Sequence, residues 1–383
     1  MSTFEFHTTK SIIVEPGAAA NIASRVRALQ CDSVLIVTDP GVLAAQLLDT
    51  ALASFTQHNV KVSVYSDVLA DPPESVIYAG VEAAQIANAD CIIGFGGGSS
   101  MDVAKLIALL ASGSQSLPEI YGVNQAEGPR LPLILVPTTA GTGSEVTAIA
   151  IVTTGENEKK GVVSPLLLPD IALLDASLTL GLPAAVTAAT GIDAMVHAIE
   201  AYTSKRLKNP ISDALAKDAL RLLAANIHTA CKHGKNIKAR ENMLLGACLA
   251  GMAFANAPVG GVHALAYPVG ARFHVPHGLS NSLMLGPVLR FNMPNAETLY
   301  AELADVVYPA ASGTSFRRAN MLVEYLQNLP QELGIATRLK DVGITEGDIA
   351  ALAADAMKQT RLLINNPREI QLADAATLYK EAL

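Results

Sequence analysis

Four short runs of apolar and β-branched residues punctuate the first part of the chain: Ser33-Val34-Leu35-Ile36-Val37-Thr38, Lys61-Val62-Ser63-Val64-Tyr65, Cys91-Ile92-Ile93-Gly94-Phe95 and Leu131-Pro132-Leu133-Ile134-Leu135-Val136. Segments of helical periodicity lie between them, at roughly 42–57, 75–88 and 99–112. Strands that are apolar along their whole length need cover on both faces, and a parallel sheet between two layers of helices provides it. The pattern predicts a doubly wound, Rossmann-like α/β domain over 1–182. From Leu182-Pro183 onward, strand-like runs nearly vanish and long Ala/Leu segments at period 3.6 follow, near 184–204, 211–228, 239–256 and 346–361. That texture predicts an all-α domain over 183–383. No repeat, low-complexity tract or long linker separates the halves, so the expectation is two packed domains with a ligand cleft between them.

Composition narrows the function. The 383 residues are 50% hydrophobic and only 16% charged, with a net charge of −8 and a mean hydropathy of +0.34. Such a chain has enough apolar surface to close cores, so disorder is excluded as its main theme. Gly, Pro and charges interrupt every apolar run before the roughly 18 residues that a membrane span needs. The acidic balance and the lack of a Lys/Arg run longer than two residues, such as Lys159-Lys160 or Arg317-Arg318, argue against nucleic acid and for a small-molecule substrate. The start, Met1-Ser2-Thr3-Phe4-Glu5-Phe6, has no basic-then-apolar secretory pattern. Cys31, Cys91, Cys231 and Cys248 are scattered without CxxC spacing, as reduced core thiols of a cytoplasmic protein would be. Low charge also leaves little to oppose self-association, which predicts a homodimer or higher homo-oligomer.

Two polar loops follow apolar strands. Gly94-Phe95-Gly96-Gly97-Gly98-Ser99-Ser100-Met101-Asp102 runs from a strand directly into a helix. Glycines there let the backbone approach a pyrophosphate, and the helix N-terminus supplies free N–H groups; a tight turn capped by Ser99 is the plainer alternative. The spacing is not GxGxxG. Pro137-Thr138-Thr139-Ala140-Gly141-Thr142-Gly143-Ser144-Glu145 brings four hydroxyls to the carboxyl end of a central strand, where open α/β sheets bind ligands. Asp39, in Val37-Thr38-Asp39-Pro40-Gly41, ends the first strand. An acid there suits a ribose 2′-hydroxyl and repels a 2′-phosphate, although Asp-Pro-Gly is also a common turn.

The helical half holds the candidate metal ligands. Asp193 and His197 are four residues apart among Ala, Met, Val and Ile, so they share one face of an apolar helix on which a lone carboxylate is costly. His263, His274 and His277 fall within 15 residues in a Gly/Pro-punctuated apolar stretch. One carboxylate with several imidazoles suits Fe(II) or Zn(II) alike. His7, His58, His228 and His233 lie in polar surroundings and are expected at the surface.

As a set, Gly96-Gly97-Gly98-Ser99, the Pro137–Glu145 loop, the helix from Gly191-Ile192-Asp193 to Glu200-Ala201-Tyr202, the Pro276-His277-Gly278 turn and the late Asn366-Pro367-Arg368 resemble the iron-containing (group III) alcohol dehydrogenases, in the family's order and across essentially the whole chain. The resemblance implies an N-terminal dinucleotide-binding domain, a helical metal-binding domain, and reversible hydride transfer between an alcohol and NAD with one divalent metal, Fe(II) before Zn(II). It implies Asp193, His197, His263 and His277 as metal ligands. It implies Asp39, Gly97, Gly98, Ser99, Thr138, Thr139, Thr142 and Lys160 as cofactor contacts.

Two positions depart from the pattern. The alcohol dehydrogenase branch often carries a further His four residues after the third ligand, where this chain has Tyr267; Tyr267, His274, or the cofactor ribose and water are the candidates for proton relay. Diol- and lactaldehyde-type relatives place Asn where Ile149 stands, and Phe254 is expected near the pocket, so the expected alcohol or aldehyde is small and fairly apolar. The alternatives are a polyol dehydrogenase or a dehydroquinate synthase-like enzyme of the same superfamily, each expected to use fewer histidines, and a metal-free scaffold, against which four retained ligands weigh.

Overall fold

Strand β4 (Cys91–Gly96) is buried along its whole length, which is what a central strand of a doubly covered sheet requires. The structure is a computed structural model that describes residues 3–155 and 158–383. By internal contacts the chain divides into one unit, His7–Gly181, and another, Leu182–Leu383 with the N-terminal residues up to Phe6.

The unit His7–Gly181 runs β1 (Ser11–Val14), α1 (Ile22–Ala28), β2 (Ser33–Val37), α2 (Pro40–Ala44), α3 (Asp49–Gln57), β3 (Lys61–Tyr65), α4 (Glu74–Ile86), β4, α5 (Gly98–Leu110), β5 (Gly122–Val123), β6 (Leu133–Pro137), β7 (Ile149–Thr154), β8 (Glu158–Val163) and β9 (Ile171–Leu174), with short 3-10 turns between. Six strands form a sheet in the order β1-β9-β6-β4-β2-β3, and every pairing in it is parallel. Side chains alternate across it. Leu35, Val37, Ile92 and Leu135 pack on one face with Ile77 of α4 and Ile107 of α5, whereas Val34, Ile36, Ile93 and Val136 pack on the other with Val26 of α1 and Phe55 of α3. Each such fully buried aliphatic contributes about 1.5–3 kcal/mol, so the two apolar layers hold the strand ends, and the loops that leave them, in fixed positions. At Gly94 helix α5 and strand β6 both come close: a Cβ there would lie 2.8 Å from the Ala104 Cβ and 2.6 Å from Leu135 Cδ2.

Three features differ from the pattern read in the sequence. The helical run 42–57 is two helices, α2 and α3, broken where Gln46 takes a left-handed conformation with φ 56°. A second sheet, β5-β8-β7, adds an antiparallel β7/β8 pair that the period-2 signal did not reveal. Its strands carry Thr153-Thr154 and Lys159-Lys160, polar enough to read as a loop. The run 131–136 starts later, at Leu133, with Leu131 and Pro132 only half-buried.

The other unit contains α6 (Ala184–Thr203), α7 (Pro210–Lys232), α8 (Ile237–Asn256), α9 (Gly261–Phe273), α10 (His277–Val307), α11 (Ser315–Glu332), α12 (Ile349–Ala356), α13 (Thr360–Leu363) and α14 (Leu372–Ala382). Among its described residues no strand occurs. Helix starts follow local chemistry: Asn209 accepts from the Ser212 N–H ahead of Pro210, and Asn236 accepts from the Ala239 N–H. The 346–361 pattern resolves into a 3-10 turn, α12 and α13. Helix α6 packs against α7, α8 and α10, and every residue from Gly191 to Thr203 is buried. A helix buried all round leaves its polar side chains no water, so they must find partners in the protein. Among the described residues no single helix is long and apolar enough to cross a membrane, although α8 and α9, bent by 106°, pass that test as a pair.

Candidate active site

Asp193 and His197 lie one turn apart on α6, His263 is the third residue of α9, and His277 is the first residue of α10. One potential ligand atom from each of these four lies within 4.8 Å of all the others. Asp193, His197 and His263 are buried and His277 is exposed, which leaves one open edge. The Asp193 Oδ1 is 3.6 Å from His277 Nε2 and 4.0 Å from His197 Nε2. Asn281, one turn after His277, places its Nδ2 at the convergence: it donates to Asp193 Oδ1 at 2.6 Å and lies 3.2 Å from the Nε2 atoms of both His263 and His277. Potential acceptor atoms of three residues thus crowd one amide nitrogen, as ligands crowd a cation. Burial works to raise the Asp193 pKa, but the three imidazoles and the Asn281 amide outweigh it and hold the carboxyl below its ordinary value. One carboxylate and three imidazoles around a shared point fit a divalent ion of borderline softness.

Glu200, two turns along α6 from Asp193, orients this group. Its Oε2 lies 2.7 Å from His263 Nδ1, and its Oε1 accepts the Val262 N–H at 2.7 Å. A carboxylate on Nδ1 makes that nitrogen the proton carrier and turns the Nε2 lone pair towards Asp193 and Asn281. Neither Glu200 nor Asn281 was singled out from sequence. For Glu200 the available signal was a further polar residue on the apolar α6; Asn281, between Ser280 and Ser282, carried none.

Aromatic rings surround the imidazoles. Phe254 stacks on His197 with centroids 4.3 Å apart, and His197 stacks on His263 at 4.8 Å. Tyr267 lies edge-on to His263 at 6.3 Å and 5.8 Å from His277. His274 lies outside the four-residue group: it is exposed and ends α9 in a left-handed conformation, φ 54°. Of the other histidines, His7, His58 and His233 are exposed, whereas His228 is half-buried beside Glu332 at 3.3 Å. All four cysteines are free thiols.

In the α/β unit, β2 and β4 are neighbours, with β3 on one side and β6 and β9 on the other. The chain direction across the sheet reverses there, which opens a crevice at the carboxyl ends of β2 and β4. Asp39 follows β2; its Oδ1 accepts from the Gly41 and Val42 N–H groups, capping α2, and its Oδ2 accepts from Ser100 Oγ at 3.1 Å. The turn reading and the ligand reading of Asp39 therefore share one side chain. Helix α5 begins at Gly98 behind Gly97 with no side-chain cap, so Ser99 stands in the first turn and does not close it. A Cβ on Gly98 would lie 2.9 Å from Thr142 Cγ2, and one on Gly97 would lie 3.8 Å from Thr139 Oγ1. The Gly-rich turn and the Thr-rich loop therefore share one edge, and at Gly98 they approach too closely for a side chain. Thr138 is buried below it, its N–H donating to the Gly96 carbonyl. Lys160 lies on β8 with its ammonium 5.5 Å above the Tyr121 ring.

A buried cation ties these loops together, a feature absent from the sequence reading. Lys105 of α5 has no exposed surface and donates to Ser144 Oγ, Thr147 Oγ1 and the Ile149 carbonyl at 2.8, 3.1 and 2.8 Å. Asp102, one turn before it, accepts from Ser144 Oγ at 2.6 Å and from the Ile151 N–H at 3.0 Å. Burial pushes the Lys105 pKa down, with Asp102 and Glu145 opposing. Glu145 is itself buried, and desolvation raises its carboxyl to about 7. Ile149, assigned to the substrate pocket by resemblance, opens β7 and offers its carbonyl to this network.

Comparison with known proteins identifies the architecture. Residues 9–176 match the model of the iron-containing alcohol dehydrogenases, and residues 187–383 match that of the C-terminal part of the Fe-containing alcohol dehydrogenase family. Long-chain-alcohol dehydrogenase 1 of Geobacillus thermodenitrificans is 38% identical over 373 residues, 96% of this chain and 93% of the relative. A crystal structure of 1,3-propanediol oxidoreductase superposes with a TM-score of 0.96 at 33% identity, covering 100% of both chains. The sulfoacetaldehyde reductase of Bifidobacterium kashiwanohense, solved in complex with NAD+, superposes with a TM-score of 0.90 at 28% identity, over 100% of this chain and 99% of that one. With matches over both halves and a carboxylate–imidazole cluster on its helices, the chain belongs to the iron-containing alcohol dehydrogenase family, oxidoreductases that act on CH–OH groups.

Proposed function

We propose that this chain interconverts small, fairly apolar alcohols and their aldehydes with NAD(H), using one divalent metal, Fe(II) in preference to Zn(II), held by Asp193, His197, His263 and His277. The convergence of one potential ligand atom from each of these four to within 4.8 Å of one another carries the reading. When bound, the ion supplies Lewis-acid polarisation of the substrate oxygen and the nicotinamide accepts or returns the hydride.

The chain's own residues do the rest. Asp193 stays ionised and brings the one negative charge of the ligand set. Glu200 keeps the His263 ring turned inward. Phe254 puts a hydrocarbon face beside His197, which disfavours water and polyol hydroxyls, and Ile149 is the second apolar contact assigned to the pocket. Tyr267 Oη is the group assigned to exchange the hydroxyl proton, a role supported by its ring packing beside His263 and His277. His274 lies outside the four-residue group and has no such support. At the sheet edge, the free N–H groups of α5, Gly97, Gly98, Ser99, Thr139 and Thr142 receive the pyrophosphate, Thr138 and Lys160 complete the lining, and Asp39 takes ribose hydroxyls and repels a 2′-phosphate, which favours NAD over NADP.

Elemental analysis of the purified protein together with an NADH-linked panel of alcohols and aldehydes tests the proposal. Bound iron and turnover of simple primary alcohols are expected. No metal and no NADH absorbance change with any short alcohol or aldehyde would refute it, and a strong preference for a glycerol-like polyol would overturn the substrate assignment. Self-association into a homodimer or larger assembly belongs to the same reading, supported by the low charge content, and light scattering checks it.

A further inference from the structure

The segment Asn365–Arg368, after α13, closes against the start of α9, the helix that carries His263. The first N–H groups of a helix have no partner within it, and the residue before α9, Gly260, offers no side chain to cap them. Two are taken from elsewhere. The Gly261 N–H donates to Asn366 Oδ1 at 3.2 Å, and the Val262 N–H donates to Glu200 at 2.7 Å. Asn366 is itself buried and held in place: it exchanges amide hydrogen bonds of 2.9 and 2.7 Å with Asn292 of α10, and its Nδ2 donates to the Arg368 carbonyl at 2.6 Å. The Arg368 guanidinium in turn lies 3.9 Å above the Phe291 ring and donates to the Phe291 carbonyl. Asn365 Nδ2 takes the Val259 carbonyl at 2.9 Å. The contact is tight enough that a Cβ on Gly261 would meet Asn366 Oδ1 at 2.7 Å and Ile370 Cδ1 at 2.8 Å.

We propose that Asn366 is a positioning residue that holds the start of α9, and through it the backbone from which His263 reaches the metal. The inference rests on the ligand assignment above. Glu200 sets the His263 ring and Asn366 sets the helix beneath it, so the two hydrogen bonds to Gly261 and Val262 act as a pair. The residue reaches across 105 positions of sequence to do so.

The test compares Asn366→Ala, Asn366→Asp and Gly261→Ala with the wild type, each as the full chain loaded with Co(II). The readouts are the Co(II) visible spectrum, the rate of metal loss to excess chelator, and Tm. Loss of a hydrogen-bond partner of a metal ligand typically costs 10–100-fold in metal affinity; Asn366 acts one step further back, through the Gly261 N–H, so Asn366→Ala and Gly261→Ala are expected to release Co(II) about 10 times faster, the low end of that range, with an altered spectrum. Asn366→Asp keeps an oxygen for the Gly261 N–H but turns a second oxygen on Asn292 Oδ1 and the Arg368 carbonyl, so it is expected to lower Tm while releasing Co(II) more slowly than Asn366→Ala. Wild-type release and spectrum in both Asn366→Ala and Gly261→Ala overturn the role of Asn366. Equal acceleration in all three variants with a lower Tm overturns it too, by reducing the residue to a general structural part. A wild type that takes up no Co(II) removes the ligand assignment itself, and this inference with it. Should Asn366→Ala not fold, Gly261→Ala against Asn366→Asp decides from the other side of the contact.

Discussion

The Lys105 ammonium, without exposed surface, donates to the Ser144 hydroxyl at 2.8 Å, and the same hydroxyl donates to Asp102 at 2.6 Å. One charge on α5 therefore holds the far end of the Thr-rich loop against the helix that begins at Gly98. Lys105→Met leaves Asp102, Ser144, Thr147 and the Ile149 carbonyl short of a donor in a nearly dry site. Removing one member of such a network costs about 2–4 kcal/mol of stability, and the loosened loop is expected to weaken NADH binding roughly tenfold, about 1.4 kcal/mol. Urea unfolding and NADH fluorescence titration measure the two effects, with metal content unchanged. Wild-type affinity for NADH in this variant would show that the network does not govern the loop.

His263→Ala removes one imidazole and leaves Glu200, 2.7 Å from its ring, without its partner. Metal content and turnover are expected to fall together. Elemental analysis of the same sample used for kinetics checks this, and full metal with full activity would take His263 out of the ligand set.

Asp170 ties the α/β unit together in a pH-dependent way. Burial alone would raise its pKa, but Arg130 at 2.6 Å, Lys10 at 2.7 Å and the Leu133 N–H at 3.0 Å hold it down to about 2. A carboxylate whose folded pKa is depressed stabilises the protein fully above its unfolded pKa near 4 and loses that contribution as pH falls towards 2. At about 1.4 kcal/mol per pH unit, reduced for solvent screening, it is worth about 1–2 kcal/mol. Asp170→Asn is expected to be destabilised by that amount at pH 7, with the gap to wild type closing below pH 4. Denaturant melts at the two pH values measure it; a gap that stays constant with pH would contradict the assignment.

His274 ends α9 with φ 54°, a conformation that glycine adopts without steric cost. His274→Gly is expected to raise stability by about 1 kcal/mol, the scale of the strain of a side chain at positive φ, and to leave kcat unchanged. A large drop in kcat with unchanged metal content would instead mark His274 as the proton carrier in place of Tyr267.

Legibility followed from how local each signal was. The runs 33–38 and 91–95 announce buried parallel strands because nearly every residue is apolar, a property of the segment itself. The pair Asp193 and His197 stands out for the same reason, two polar groups at helical spacing on an apolar helix. The β7/β8 pair was hidden because its Thr and Lys residues resemble a turn and because β5, which completes the sheet, is only two residues long. Asn281 and Glu200 were hidden for another reason. An amide or a carboxylate on a helix says nothing until its partner is known, and those partners lie 88 and 63 positions away. Lys105 reads as an ordinary surface lysine until the strand and loop 39 to 44 positions later fold over it.

The spread of the four candidate ligands over α6, α9 and α10 makes an ion there a cross-link as well as a reagent. Asp193 on α6 and His277 on α10 bring their potential ligand atoms to the same point, so binding closes a long loop that the unfolded chain would otherwise leave open. An ion bound only by the folded state shifts unfolding by mass action, about 2.7 kcal/mol at a hundredfold excess over Kd. The melting temperature of the helical unit should therefore rise with free metal concentration even when no cofactor or substrate is present, which makes thermal denaturation a meter for occupancy.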